Sequence, residues 1–269
     1  VRASARLGLS LVVLGSALFT VRAGADERPV GVAGSARLAG ETLMEHVVAQ
    51  VGGSVITWSE LAAEARLKLL RAHGPSTALL HELDPELLAS VLRGMIHREL
   101  LLGEVRRLQL QAVSDVDVAR EVDKLAARAG GQRELARFLA VIGVEVGAGG
   151  VSESLAPLVR AELEAQRLLE ARVRTAASAA EGELLACFQL HREELFRGRR
   201  FVEVREQIRG ALLEQRREAA VRALIEDAAA RASIRFADFD TLPLFAEPPA
   251  GRLLCLPEPG ARAPLEGRR

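Results

Sequence analysis

The chain has 269 residues, and 36 Lys and Arg are balanced by 36 Asp and Glu for a formal net charge of zero. With no basic field to hold a polyanion, nucleic acid is not an expected partner, and 27% charged with 49% hydrophobic residues excludes disorder throughout. Aromatic residues make up 3%, with no Tyr and one Trp, which leaves little for a stacking platform, so the core is expected to be Leu, Val and Ala.

Arg2 and Arg6 precede a run from Leu7 to Val21 without a charged side chain, the pattern of a secretory leader. As a helix this run rises about 22 Å, short of the roughly 30 Å hydrocarbon core that a permanent span must cross. Ala23-Gly24-Ala25 offers small residues at the two positions a signal peptidase reads, with Asp26 and Glu27 following. Residues 1–25 are therefore expected to be a signal peptide cut after Ala25, and residues 26–45 a disordered linker. The only cysteines are Cys187 and Cys255, so lipoprotein acylation has no attachment point at the cut. The expected location is periplasmic, without stable membrane insertion. The two cysteines can pair in an oxidising compartment, but one falls in a predicted helix and the other in a Pro-rich tail, which leaves pairing open.

The first ordered element reads as a hairpin: His46–Val51, then Gly52-Gly53, then Ser54–Ile56, since two glycines between β-branched runs permit a tight primed turn. Thr57 with Glu60 forms a capping box for a helix with Trp58, Leu61, Ala65 and Leu69 on one face, stopped by Gly74-Pro75. Asp84-Pro85 opens a longer helix through Leu88, Val91, Leu92, Met95, Ile96, Leu101, Val105 and Leu108. Ser114 with Asp117 starts the next, with Val118, Val122 and Leu125 inward and Gly130-Gly131 at its end. A short helix carries Leu135, Phe138, Leu139 and Ile142 and closes at Gly143.

The insert Gly147-Ala148-Gly149-Gly150 is a loop without a phosphate-binding pattern, because no strand precedes it and no Lys-Ser or Lys-Thr follows. A helix runs from Ser154 to about Arg174, and Ser178 with Glu181 reads as another capping box before Leu184, Leu185, Phe188 and Leu195. The last helix, Arg199 to Ala230, is charged apart from a narrow stripe of Phe201, Val204, Ile208, Leu212, Ala219 and Ile225, so it must pack on other helices. Ser233–Phe236 alternates as a strand does, and a lone strand needs a partner. The only other strands lie near residues 47–56, so the two ends of the ordered chain are expected to pair. Residues 237–269 hold most of the prolines and no periodicity, and read as a disordered tail.

Several of these segments resemble SurA-type periplasmic chaperones. Val47–Leu61 (VVAQVGGSVITWSEL) is similar to the opening strand, turn, strand and Thr-x-Ser-Glu-Leu pattern of that family. Val91–Ser114 is similar to its leucine-rich helix and the short link into the next helix. Phe138–Gly143 is like the helix that ends in Gly, Ala161–Val173 the amphipathic helix after it, and Glu181–Phe196 the helix that leads into a parvulin domain. The chain departs at Gly198-Arg199-Arg200, which goes straight to the long last helix where the parvulin prolyl-isomerase module would be expected.

The resemblance implies a mostly α fold of six to seven helices over residues 46–236, with a helical part (46–198), a C-terminal helix and strand (199–236), and a small antiparallel sheet joining hairpin to last strand. It also implies an ATP-independent holdase with an apolar groove for unfolded outer-membrane or exported polypeptides. Phe138, Leu139, Val141 and Ile142 are the candidate client contacts, and filling the core is the competing role for them. No catalytic, cofactor or metal site is expected. His46, His73, His81, His97 and His191 form no i,i+4 pair and have no cysteine at metal-ligand spacing. A prolyl-isomerase relative and a structural subunit of an envelope complex are the alternatives. Protein recovered from the envelope is expected to begin at Asp26, and an intact mass retaining residues 1–25 counts against an exported chain.

Overall fold

A computed structural model describes residues 46–176, 178–237, 242–246 and Cys255, and the expected signal peptide and linker lie outside them. The chain divides into compact units between Leu43 and Met44, and all described residues belong to the second.

A hairpin of β1 (Val47–Val51) and β2 (Ser54–Thr57) turns at Gly52, whose φ of +58° is the left-handed angle that the Gly-Gly pair permits. α1 (Trp58–His73) starts with the expected box: Glu60 N–H donates to Thr57 Oγ1 and Thr57 N–H to Glu60 Oε2. Then come α2 (Pro75–Leu80), α3 (Pro85–Arg107), α4 (Asp115–Ala129), α5 (Gln132–Val141), α6 (Gly150–Ala176), α7 (Glu181–Leu190), α8 (Phe201–Arg231) and β3 (Ile234–Phe236). The fold is mostly helical, with eight helices among the described residues where six to seven were expected. The addition is α2, one and a half turns whose end Arg66 holds by donating to the carbonyls of Ala78 and His81.

The sheet order is β2-β1-β3, all antiparallel, so the two ends of the ordered chain do pair. Ala49, Gln50 and Val51 face Phe236, Arg235 and Ile234, and Ala237 N–H donates to Val48 O beyond the last pair. An irregularity in the β1–β2 ladder between Val47 and Ala49 interrupts strict alternation, which is how consecutive Val48 and Ala49 both face the core. That core combines the sheet with α1, α3 and the end of α8 through Leu61, Leu92, Ile96, Ile225 and Ala228. A second cluster joins α1, α2, α4, α5 and the start of α6, and a third joins α3, α6 and α8.

Several local expectations need correction. Trp58 is exposed although Leu61, Ala65 and Leu69 on its expected face are buried. A helical side chain leans over the preceding turn, and the first residue of a helix has none to cover. α6 begins at Gly150, so Pro157 is interior, and Ser154 sits one turn in, where its Oγ donates to Gly150 O and accepts from Gly147 N–H. The box expected from Ser178 and Glu181 shifts by two residues: Ala180 N–H donates to Glu183 Oε2 at 2.7 Å, and alanine has no oxygen to complete the exchange. On α8, Ala219 is exposed and Gln215 is buried in its place. Leu242, Leu244 and Phe245, in the segment expected to be a disordered tail, pack against the core that contains the sheet.

Glu104 is the one buried ionised side chain among the described residues, 4% exposed near the end of α3. Its carboxylate accepts from Arg107 Nε at 2.9 Å and from Arg231 at 3.1 and 2.8 Å, tying the end of α3 to the end of α8. The Arg107 hydrogen bond, with that of Arg231, holds the carboxyl below the usual glutamate range against the opposing effect of burial. A carboxyl lowered on folding adds stability above its unfolded pKa and loses it as pH falls through the folded value. Both arginines are about half exposed and return to water when the partner is removed. Glu104→Gln is thus expected to cost about 2 kcal/mol at neutral pH and much less in acid, measured by urea unfolding at about pH 7 and about pH 3.5. An equal loss at both pH values would remove the ion pair as the cause.

Candidate functional site

The four candidate client contacts divide by depth. Phe138 and Leu139 face the core that α5 shares with α4 and α6, and both are buried. Ile142, just past the helix end, packs half-buried on the same cluster, while Val141 is 68% exposed. The i, i+3, i+4 rhythm of Leu135, Phe138 and Leu139 marks the inward stripe, and Val141 falls off it.

Further exposed apolar side chains lie on a different surface. α7 packs chiefly on α8, and this helical pair has a core of its own in Leu184, Phe188, Phe196, Val204, Ile208 and Leu212. Phe188 supports the turn between the helices, with ring centroids 5.8 Å from Phe196 and 5.6 Å from Phe201. Glu181 and Arg205 pair through two 2.8 Å hydrogen bonds across the two helices, and Arg216 reaches Glu183. On this frame Leu190, Leu195 and Val202 are 69%, 50% and 80% exposed. Leu190 ends α7, Leu195 lies in the connecting turn, and Val202 is in the first turn of α8.

The described tail residues lie on α3 and α8. Arg93 Nε donates to Pro243 O at 3.0 Å, and His97 Nε2 lies 2.6 Å from Leu244 O. A carbonyl only accepts, so this contact requires the proton on Nε2. Burial holds the imidazole below its usual pKa, which favours the neutral ring. The Phe245 ring lies 5.5 Å from His97 and under Arg222, whose guanidinium carbon is 4.2 Å from the ring centroid. Farther on, Cys255 N–H donates to Gln215 Oε1 at 2.8 Å, and Cys255 forms a disulfide with Cys187 of α7. That bond spans 68 residues, and closing a loop of this length removes unfolded-chain entropy worth about 4 kcal/mol. Spacing alone left the pairing open because the two cysteines lie 68 residues apart with α8 and the last strand between them.

Lys68 Nζ donates to Ser90 Oγ at 3.1 Å between α1 and α3, and burial lowers the amine's pKa. A serine beside such an amine is the start of a nucleophile–base pair. Ser90 lies inside α3, however, where the neighbouring backbone amides serve the helical ladder. The pair is therefore a tie between helices. Among the described residues no group of three His, Cys, Asp or Glu is arranged to hold a metal ion. A shallow depression on α2, lined by Ser76, Thr77, Leu80 and His81, is open and has no converging charges. No described helix is long and apolar enough to cross a membrane.

Neither protein-family models nor curated proteins give a match to this chain.

Substitution separates the core positions from the surface position of α5. Phe138→Ser is expected to cost about 3 kcal/mol or more through a cavity and a buried hydroxyl. Val141→Ser is expected to change stability by less than about 0.5 kcal/mol. Urea unfolding followed by circular dichroism measures both, and a tolerated Phe138→Ser would reverse the assignment.

Proposed function

We propose that this protein is a periplasmic, ATP-independent holdase that binds unfolded outer-membrane or exported polypeptides through dispersed apolar surface. The observation that carries this reading is the α7–α8 arm, which presents Leu190, Leu195 and Val202 to solvent on a disulfide-braced support. A holdase binds the unfolded state of its client, so it needs accessible apolar side chains that do not collapse on one another. A small arm with its own core meets that need: the aromatic cluster beneath stays packed while the tip stays exposed. Val141 adds a further exposed contact on α5, and Phe138, Leu139 and Ile142 act as its support.

The leader-like N-terminal run and the resemblance to SurA-type chaperones point to the same compartment and client class. The activity proposed is binding. A second reading is supported by the same tip: three exposed apolar residues on a braced arm also suit one fixed partner in an envelope complex. Purification from the envelope separates the two, since a holdase brings a spread of barrel proteins and a subunit brings one partner in stoichiometric amount.

The deciding measurement is light scattering of an unfolded outer-membrane barrel diluted from urea, with and without the mature protein. Suppressed aggregation is expected without ATP, and replacing Leu190, Leu195 and Val202 together by Ser should weaken suppression several-fold while the melting curve stays close to that of the parent. Equal suppression by parent and triple variant removes the arm from the mechanism. Acceleration of a proline-limited refolding reaction would instead place the protein among the isomerases.

A further inference from the structure

The way residues 242–246 are held differs from ordinary core packing. None of the five is buried; they lie over a core whose own members, such as Ile96 and Leu92, are already covered. Both polar contacts from α3 go to main-chain carbonyls, those of Pro243 and Leu244, and neither reads a side chain. The apolar contacts take one aromatic ring, gripped between His97 and the Arg222 guanidinium, and two leucines. Main-chain carbonyls flanked by apolar side chains, here in a bend at Leu244 and Phe245, are what any hydrophobic stretch of polypeptide offers.

We propose that the α3–α8 face bearing Arg93, His97 and Arg222 is a binding cleft for apolar polypeptide, that residues 242–246 are its resident occupant, and that the Cys187–Cys255 disulfide latches the occupant in place. The nature of the competing ligand, an unfolded client segment, rests on the holdase reading above. The latch follows from connectivity. β3 fixes the chain at Phe236, and the disulfide with the Gln215 hydrogen bond fixes it again at Cys255. A segment fixed at both ends gains little freedom by leaving the cleft, so an outside segment competes against a high effective concentration.

Opening the disulfide removes one of the two fixed ends. A dithiol reductant does this by thiolate attack on one sulfur, which breaks the S–S bond and forms a mixed disulfide, and its second thiol then resolves that intermediate. Two electrons and two protons pass from the reductant, which leaves as its own disulfide, and Cys187 and Cys255 become thiols. The occupant can then depart as a free tail, and the cleft opens to a segment in trans.

The test uses the full mature protein and a fluorescent peptide with the sequence of residues 240–248 (DTLPLFAEP), followed by anisotropy. Reduction with dithiothreitol, or the Cys255→Ser change, is expected to tighten peptide binding by roughly tenfold over the oxidised protein. Arg93→Ala together with His97→Ala should abolish the gain. Because reduction could also loosen the arm, a latched variant provides an independent arm: Leu244→Ala with Phe245→Ala weakens the occupant and should raise peptide binding with the disulfide intact. Equal binding by oxidised and reduced protein, or no binding by any form, overturns the proposal. If the protein suppresses barrel aggregation yet neither the oxidised nor the reduced form binds the peptide, the cleft proposal falls and the holdase reading stands; if the reduced form binds peptide but no form suppresses aggregation, the reverse holds.

Discussion

Everything in this fold depends on β1 having a neighbour on each side. Its β2 partner is local and its β3 partner comes from the far end of the ordered chain, so the short β1–β3 ladder joins the hairpin to α8. A two-stranded hairpin alone is marginal in water, and a third strand with an apolar face is what makes such a sheet persist. Once β3 is in place, the end of α8 is delivered onto α3, and Ile225 and Ala228 enter the same core as Val48 and Ile56. Glu104 and Arg231 secure that delivery at the edge of the core with charge instead of apolar area.

α8 then serves two masters. Its C-terminal half is part of the body, while Val204, Ile208 and Leu212 in its N-terminal half form one side of the α7–α8 core. Gln215 falls between these halves and is where the tail is tied. The arm is therefore an outgrowth of a single helix, stiffened by the Glu181–Arg205 and Glu183–Arg216 pairs and by a covalent link to the tail. Exposed ion pairs of this kind contribute little each, so the aromatic cluster and the disulfide hold the arm together.

What was legible in the sequence was whatever short-range patterning determines. The Thr57 box, the Asp84-Pro85 start, the Ser114 cap and the Gly130 stop are each decided within a few residues, and each stands where expected. The closing strand was legible by a different route, since Ile234 and Phe236 alternate and only one partner was on offer. Long-range seating was not legible. Nothing in the sequence near Leu242–Ala246 or Cys255 is periodic, and the places of Pro243, Leu244 and Cys255 depend on Arg93, His97 and Gln215, which lie far off in the chain. The burial of Gln215 contradicts its polarity for the same reason, because its partner is a backbone amide from the tail. At the candidate site, hydrophobicity marked Phe138 and Val141 alike, and only their angular position about α5 separates core from surface. Leu195 was expected on the helix with Leu184 and Phe188, but α7 ends at Leu190, which leaves Leu195 exposed in the turn, while Leu190 and Val202 stand exposed at the adjoining helix ends.

The late arrival of β3 also bears on how the molecule comes into being. Synthesis proceeds from the N-terminus, and from the making of β1 until Ile234–Phe236 follow, β1 stands with an apolar face and an open row of hydrogen-bonding groups on its outer edge. Native closure must wait until the final helix has been made and has found α3, a search over a long contour that favours slow assembly. During that interval the nascent hairpin is itself a sticky, half-finished sheet, and any truncation before Ile234 would leave it so permanently.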